Sequence, residues 1–302
     1  MTAAELKYMF TQAVTDDGKV QEIRIRAGCP IFVRVNGEEI RLNGFADTRL
    51  IRELMELFAN HSLYAYEEEI RQGFLTIEGG HRVGISGKVI MDGSQIRTLK
   101  DISGLNIRLA HEWKGCAEEV LPWLYHEGKI QNTIFISPPG GGKTTMLREV
   151  IRNLSDGNLY GGGVAVSVVD ERSEIGACLR GIPQCDLGQR TDIMDGCPKA
   201  VGMTMMIRSM GPEVLAADEI GTREDLKAIR DALRSGVKIL VTVHGDSLED
   251  VRQKPVLREM VEERMFGRYV VLGCKPRPGT VTGIYDQLCR ELYVMREENE
   301  SM

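Results

Sequence analysis

The segment Ser137-Pro-Pro-Gly-Gly-Gly-Lys-Thr-Thr145 stands between the apolar run Thr133-Ile-Phe-Ile136 and the helix-forming stretch Met146-Leu-Arg-Glu-Val-Ile151. A strand, a glycine-rich loop and a helix in that order let successive backbone N–H groups turn inward on an anion, an approach that side chains at those positions block. The helix opening near Lys143 adds the positive end of its dipole. The pattern G-x-x-x-x-G-K-[ST] begins here with Ser137 in place of its usual glycine. In that pattern Lys143 reaches the terminal phosphates of a nucleotide and the Thr144 hydroxyl holds Mg²⁺. The expected nucleotide-binding residues are therefore Ser137, Pro138, Pro139, Gly140, Gly141, Gly142, Lys143, Thr144 and Thr145, with ATP and Mg²⁺ as cofactors.

At 302 residues the chain is long enough for two domains, each with its own core. Residues 1–112 alternate helix and antiparallel signals. Ile23–Arg26 and Ile31–Val35 read as strands, and Asn36-Gly37 followed by Glu38–Leu42 is a hairpin signal. Asp47 or Thr48 caps an amphipathic stretch with Leu50, Ile51, Leu54, Leu57 and Phe58 on one face. Short strands follow at Phe74–Ile77, His81–Ile90, Gln95–Leu99 and Leu105–Leu109. This predicts a smaller α+β domain, then a linker helix within 113–130. From 131 to 302 the strands become short and wholly apolar: Ile134–Ile136, Val164–Val169, Val214–Ala217 and Ile239–Val243. Such runs belong to a parallel sheet covered on both faces, so an α/β, three-layer P-loop domain is expected. The tail Arg296–Met302 reads as disordered.

Net charge is −6, shared evenly. Residues 1–130 hold 16 Lys and Arg against 19 Asp and Glu, which gives −3 and leaves −3 for the rest. No basic block marks a chain whose main task is gripping nucleic acid, and no stable nucleic-acid partner is expected. The seven cysteines are scattered without C-x-x-C spacing and read as reduced cytosolic thiols. No apolar run reaches the length of a membrane span, so a cytoplasmic protein without a span of its own is expected, held at a membrane only through partners.

Val214-Leu-Ala-Ala-Asp218-Glu219 supplies carboxylates at the end of what reads as a strand neighbouring the loop strand. Asp218 is expected in the Mg²⁺ shell, and Glu219 is placed to orient or deprotonate the attacking water. A second cluster, Asp170-Glu171-Arg172-Ser173-Glu174, ends the strand Val164–Val169. The C-terminal strand ends of a parallel sheet converge on the ligand crevice, so Glu171 is the preferred second carboxylate there. A charged turn with an Arg172 ion pair stays an equal reading. His244, with Thr242 two residues earlier, is placed to sense the terminal phosphate. Met203, Met205, Met206 and Met210 read as helix packing beside the Val214–Ala217 strand.

The segment Ile207–Ile220 resembles the Walker B segment of the type II and type IV secretion ATPases. Asp170–Glu174 resembles their aspartate box, Ser235 through Thr242 and His244 their histidine box, and Ile23–Pro30 with Val33–Gly37 the start of their N-terminal domain. Within that superfamily, Gly80–Gly87, Val169–Ile175, Arg190-Thr-Asp and Asp195–Ala200 are similar to a sporulation branch. The resemblance implies a RecA-like ATPase domain and a homo-oligomeric ring of six subunits. It further implies docking on integral membrane proteins of a sporulation channel, and a place in the mother-cell cytoplasm of an endospore former. A ring needs cations across its subunit interface. Arg82, Arg97, Arg108, Arg180, Arg190 and Arg208 are candidates, with Arg208, Arg190 and Arg82 first because they lie in the resembling segments. Two other readings stay open: a nucleotide-gated scaffold with negligible turnover, and a nucleic-acid-associated P-loop ATPase.

Overall fold

The structure is a computed structural model that describes residues 20–59 and 66–295; the tail Arg296–Met302, expected to be disordered, lies outside the described residues. The chain divides into two compact units. The first runs to His111 and takes in Ala177–Arg180, and the second comprises Glu112–Gly176 and the chain from Gly181 onward.

The first unit is a six-stranded antiparallel sheet of β1 (Val20–Arg26), β2 (Pro30–Val35), β3 (Glu38–Phe45), β4 (Phe74–Ile77), β5 (His81–Asp92) and β6 (Gln95–Arg108), in the order β3-β2-β1-β6-β5-β4. Alternation sends Ile23, Ile25, Ile31, Val33, Val83, Leu105 and Ile107 to one face. There they pack with α1 (Thr48–Phe58), whose first turn is fixed by the Asp47 carboxylate accepting the Leu50 N–H at 2.7 Å. Met55, not Leu57, completes the buried face of α1. A one-turn helix, α2 (Glu67–Arg71), buries Ile70 in the same core.

The two strands expected at 95–99 and 105–109 are one continuous β6. Gly87 makes this continuity possible, since a Cβ there would meet the Lys100 carbonyl oxygen at 2.8 Å. On the face away from α1, register aligns Arg34, Glu22, Arg108 and Arg82 in one row, with Arg24, Asn106 and Gly84 in the next.

His81 is buried in this unit, and its Nδ1 accepts the Ala110 N–H at 3.0 Å. Burial, with His111 adding to it, pushes its pKa from 6.5 down to about 4. The neutral ring is the folded form, so the unfolded chain binds the extra proton between about pH 6.5 and pH 4 and stability falls as pH falls through that window. Between pH 7.5 and pH 5, wild type should lose roughly 2 kcal/mol more than a His81→Asn variant in urea titrations. Equal pH dependence of the two proteins would show that His81 is not responsible.

The second unit holds an eight-stranded sheet with the order β13-β12-β14-β15-β9-β16-β17-β18. Its strands are β9 (Thr133–Ser137), β12 (Val166–Asp170), β13 (Thr191–Asp195), β14 (Val214–Ala217), β15 (Lys238–His244), β16 (Arg268–Gly273), β17 (Thr280–Asp286) and β18 (Glu291–Val294). The six strands from β13 to β16 are parallel, and β17 and β18 add antiparallel at one edge. Two-residue hairpins join Tyr125–His126 (β7) to Lys129–Ile130 (β8), and Gly157–Asn158 (β10) to Gly161–Gly162 (β11). On one face, α3 (Lys143–Asp156) buries Met146, Leu147, Val150, Ile151 and Leu154. On the other, α4 (Lys199–Ser209), α5 (Arg223–Arg234), α6 (Leu248–Gln253) and α7 (Pro255–Glu262) cover the sheet. Residues Ser137, Phe135, Val168, Ala216 and Val241 are all buried, as strands covered on both faces require.

Two further expectations differ from what is observed. Residues 113–130 carry a 3-10 turn at Leu121–Leu124 and the β7–β8 hairpin in place of a linker helix, and Ala117, Val120, Leu121 and Leu124 are embedded in the core of the second unit. Pro122 removes a backbone donor, and i+3 bonds from Val120 to Ala117 and from Trp123 to Val120 close the turns. Of the four methionines at 203–210 only Met203 and Met206 pack into the core, whereas Met205 and Met210 are exposed.

Candidate functional site

Parallel pairing brings the C-terminal ends of β9, β12, β14 and β15 to one edge of the sheet, and each of them delivers a polar side chain there. After β9 the chain turns through Gly140 (φ +73°) and Gly142 (φ +82°). Ser137 Oγ donates to the Pro138 carbonyl at 3.0 Å, a turn-closing bond that suits serine at the first position of the motif. A Cβ on Gly141 would lie 2.2 Å from that Oγ. The Gly279 N–H donates to the Gly141 carbonyl at 3.0 Å, and a Cβ on Gly142 would lie 2.8 Å from the Gly279 nitrogen. Gly142→Ala should therefore displace the loop, lower the melting temperature by a few degrees and weaken nucleotide binding by about tenfold or more. An unaltered affinity would mean that the loop tolerates a rearranged backbone.

The N-terminus of α3 presents Lys143 and Thr144. Lys143 is only 8% exposed, and its Nζ lies 2.8 Å from Glu219 Oε1. Thr144 Oγ1 donates to Asp218 Oδ2 at 2.6 Å. The strand order corrects one expectation. Asp218 and Glu219 follow β14, which is not the neighbour of β9, because β15 runs between them. Thr242 of β15, fully buried, fills that gap. Its hydroxyl accepts the Glu219 N–H at 2.9 Å and donates to Asp218 Oδ1, and its carbonyl accepts the Ile220 N–H at 3.0 Å. These bonds hold Glu219 at φ +53°, a left-handed conformation that costs a non-glycine residue about 1–3 kcal/mol.

Glu219 is the hub of the edge. Lys143 and His244 Nε2 both lie 2.8 Å from its Oε1, and Arg172 Nη1 donates to its Oε2 at 2.7 Å. Burial pushes its pKa up, but the bond from Lys143 and the charges of Lys143, His244 and Arg172 outweigh that and hold it below the ordinary carboxylate range. An ionised carboxylate is what a base for water requires. The Thr144 hydroxyl and Asp218 carboxylate are a pair of hard oxygen donors, the kind that suits Mg²⁺, an ion that keeps several waters and takes few protein ligands. Among the described residues no group of three or more His, Cys, Asp or Glu side chains is placed to hold a metal ion.

The acidic cluster after β12 divides its roles. Asp170 is 1% exposed and accepts the N–H groups of Glu174, Ile175 and Gly176 at 2.8–2.9 Å. Burial pushes its pKa up to about 6 against those three bonds. Asp170 is thus the pivot that folds the loop, and Arg148 of α3 braces the same loop by donating to the carbonyls of Glu174 and Ile175. Glu171, the preferred second carboxylate, pairs with Lys199 at the start of α4. Arg172 reaches Glu219, so its ion pair crosses to the end of β14 and does not lie within the turn.

Two of the nominated arginines stand away from this edge in their own subunit. Arg190 precedes β13, at the opposite end of the parallel strands, where its Nη1 donates to the Ser155 carbonyl at 3.0 Å. Arg208 is exposed in the last turn of α4, whose 11 residues run back from the C-terminal strand ends. Arg82 belongs to the first unit, over the Phe74 ring at 3.8 Å and opposite Arg108.

A family profile described as "Sporulation stage III, protein AA" matches residues 1–292. The chain is similar to the Stage III sporulation protein AA of Bacillus subtilis (strain 168), with 44% identity over 269 residues that cover 89% of this chain and 87% of that protein. It is also similar to the Legionella pneumophila ATPase DotB, with a TM-score of 0.64 and 13% identity over 95% of this chain and 82% of that one. The pilus retraction motor PilT, solved with bound ADP, gives a TM-score of 0.59 and 14% identity over 87% and 76% of the two chains. At such identities the likeness is one of fold: a RecA-like ATPase domain preceded by a smaller N-terminal domain.

Proposed function

We propose, from the premise that this chain belongs to the sporulation stage III, protein AA family, that it is a Mg²⁺-dependent ATPase working as a secretion-type motor. Its role in that reading is to power or assemble a transport complex between mother cell and forespore. One observation carries the reading: a glycine-rich loop, the Thr144–Asp218 hydroxyl–carboxylate pair and a partly buried, ionised glutamate stand at one sheet edge, with Thr242 joining Asp218 to Glu219.

Lys143 would leave Glu219 and bind the terminal phosphates. The N–H groups of the loop around Gly140–Gly142 would hold the remaining phosphate oxygens. Thr144 and Asp218 would hold Mg²⁺, which supplies charge neutralisation on the phosphates when bound. Glu219, relieved of Lys143 on Oε1, would accept a proton from water aligned with the terminal phosphoanhydride, and His244, still at that oxygen, would report the loss of the phosphate. Glu171, committed to Lys199, is left an indirect part in this scheme.

Ring assembly, with six copies as the proposed number, would bring in cations from a neighbouring copy. Arg82 fits that part best, since it shares a sheet face with Arg24, Arg34 and Arg108, while the Arg190 guanidinium is engaged by Ser155. Integral membrane proteins of the sporulation channel are the proposed docking partners. Among the described residues no helix is long and apolar enough to cross a membrane.

The Lys143–Glu219 pair also favours a second reading, a nucleotide-gated scaffold whose base stays engaged. Turnover measured across protein concentration, with mass from light scattering in the same samples, separates the two. A motor shows turnover that rises with assembly. Assembled protein that binds ATP without turnover, even with a membrane partner added, would be the scaffold.

A further inference from the structure

The carboxylate of Glu219 is shared unequally. Lys143 and His244 both meet Oε1, while Oε2 is met by Arg172. If the protein binds ATP as proposed above, on which this inference rests, Lys143 must leave Glu219 to reach the terminal phosphates. The side chain left behind is only 18% exposed on a backbone held by Thr242, so water reaches little of its charge where it stands. Removing one partner of a partly buried pair leaves a charge that the remaining partners must balance.

We propose that Arg172 is the counter-cation that holds the charge of Glu219 when Lys143 departs, and that it thereby sets how readily the lysine is released to the nucleotide. Three features of the chain fit this positioning role. A guanidinium stays charged at every working pH, whereas the His244 imidazole is cationic only when protonated. Arg172 contacts the oxygen opposite to the one Lys143 uses, so both can be bound at once and either can leave alone. Its loop is anchored on Asp170 of β12 through three backbone N–H groups, so its footing does not depend on Lys143 staying at Glu219.

Because Arg172 is 64% exposed, its replacement should leave the fold intact. The test is a double-mutant cycle on the affinity for Mg²⁺ and AMP-PNP, a non-hydrolysable ATP analogue, in wild type, Arg172→Gln, Glu219→Gln and the double variant. Arg172→Gln should weaken binding about threefold to fivefold, the range open to a partly exposed ion pair. Arg172→Lys should restore most of the loss. In the Glu219→Gln background the same substitution should change nothing, because no carboxylate charge then remains to be balanced.

Unchanged affinity in Arg172→Gln would overturn the proposal. An equal loss in the Glu219→Gln background would also overturn it, since Arg172 would then touch the nucleotide itself. A wild type that binds but shows no turnover would reject the ATPase reading while leaving the cycle to decide the role of Arg172. A chain that binds no nucleotide in any of the four forms overturns both.

Discussion

Glu219→Gln should lower ATP turnover by about two to four orders of magnitude while nucleotide binding persists, the range that loss of a positioned general base produces. The amide has nearly the size of the carboxylate and keeps a carbonyl oxygen for Lys143, so the turn pinned by Thr242 should stay folded. What disappears is the proposed proton acceptor. Affinity should rise, because the Lys143–Glu219 ion pair that competes with the phosphates loses its charge. Phosphate release and fluorescent-nucleotide titration on the same preparation read the two effects separately. Residual turnover within tenfold of wild type would place the base elsewhere.

Lys143→Ala is the second large effect, with the opposite division. Nucleotide affinity should fall by at least about tenfold to a hundredfold, since a charge-assisted bond to phosphate is lost from a side chain only 8% exposed. Glu219 keeps Arg172 and His244, so the protein should still fold and melt cooperatively. Equilibrium titration with a fluorescent ATP analogue, beside a melting curve, checks both halves. The two substitutions together separate binding from chemistry, and losses of the same kind in both would contradict the split roles of Lys143 and Glu219.

What can be read from the chain alone depends on whether a feature is contiguous. The glycine-rich loop is legible because nine successive residues carry it, and Asp218-Glu219 because four apolar residues lead straight into them. The Thr242 bridge and the Arg172 pair are not legible in that way. Arg172 and Glu219 lie 47 positions apart, and they meet only because β12 and β14 are neighbours in the sheet. Thr242 can join Asp218 to Glu219 because β15 runs between β14 and β9, an order that apolar runs do not encode.

The helix expected within 113–130 fails for a local reason. Ala117, Val120, Leu121 and Leu124 have helical spacing, but Pro122 and the tight i+3 turns bury the same residues without an α-helix. The edge strand β17 escapes because Thr282 and Gly283 interrupt its apolar pattern. Glu171 reads as a second carboxylate for the site, yet Lys199, 28 positions on, takes it.

The most direct measurement of the central claim is the fate of ATP on the wild-type protein. Assembled protein is incubated with a modest excess of ATP, with and without Mg²⁺, and bound and free nucleotide are separated and identified over time. The account requires ADP and phosphate in amounts well above one per subunit when Mg²⁺ is present, and intact ATP when Mg²⁺ is removed or when Gln replaces Glu219. Recovery of intact ATP from fully loaded wild-type protein in the presence of Mg²⁺ would contradict it.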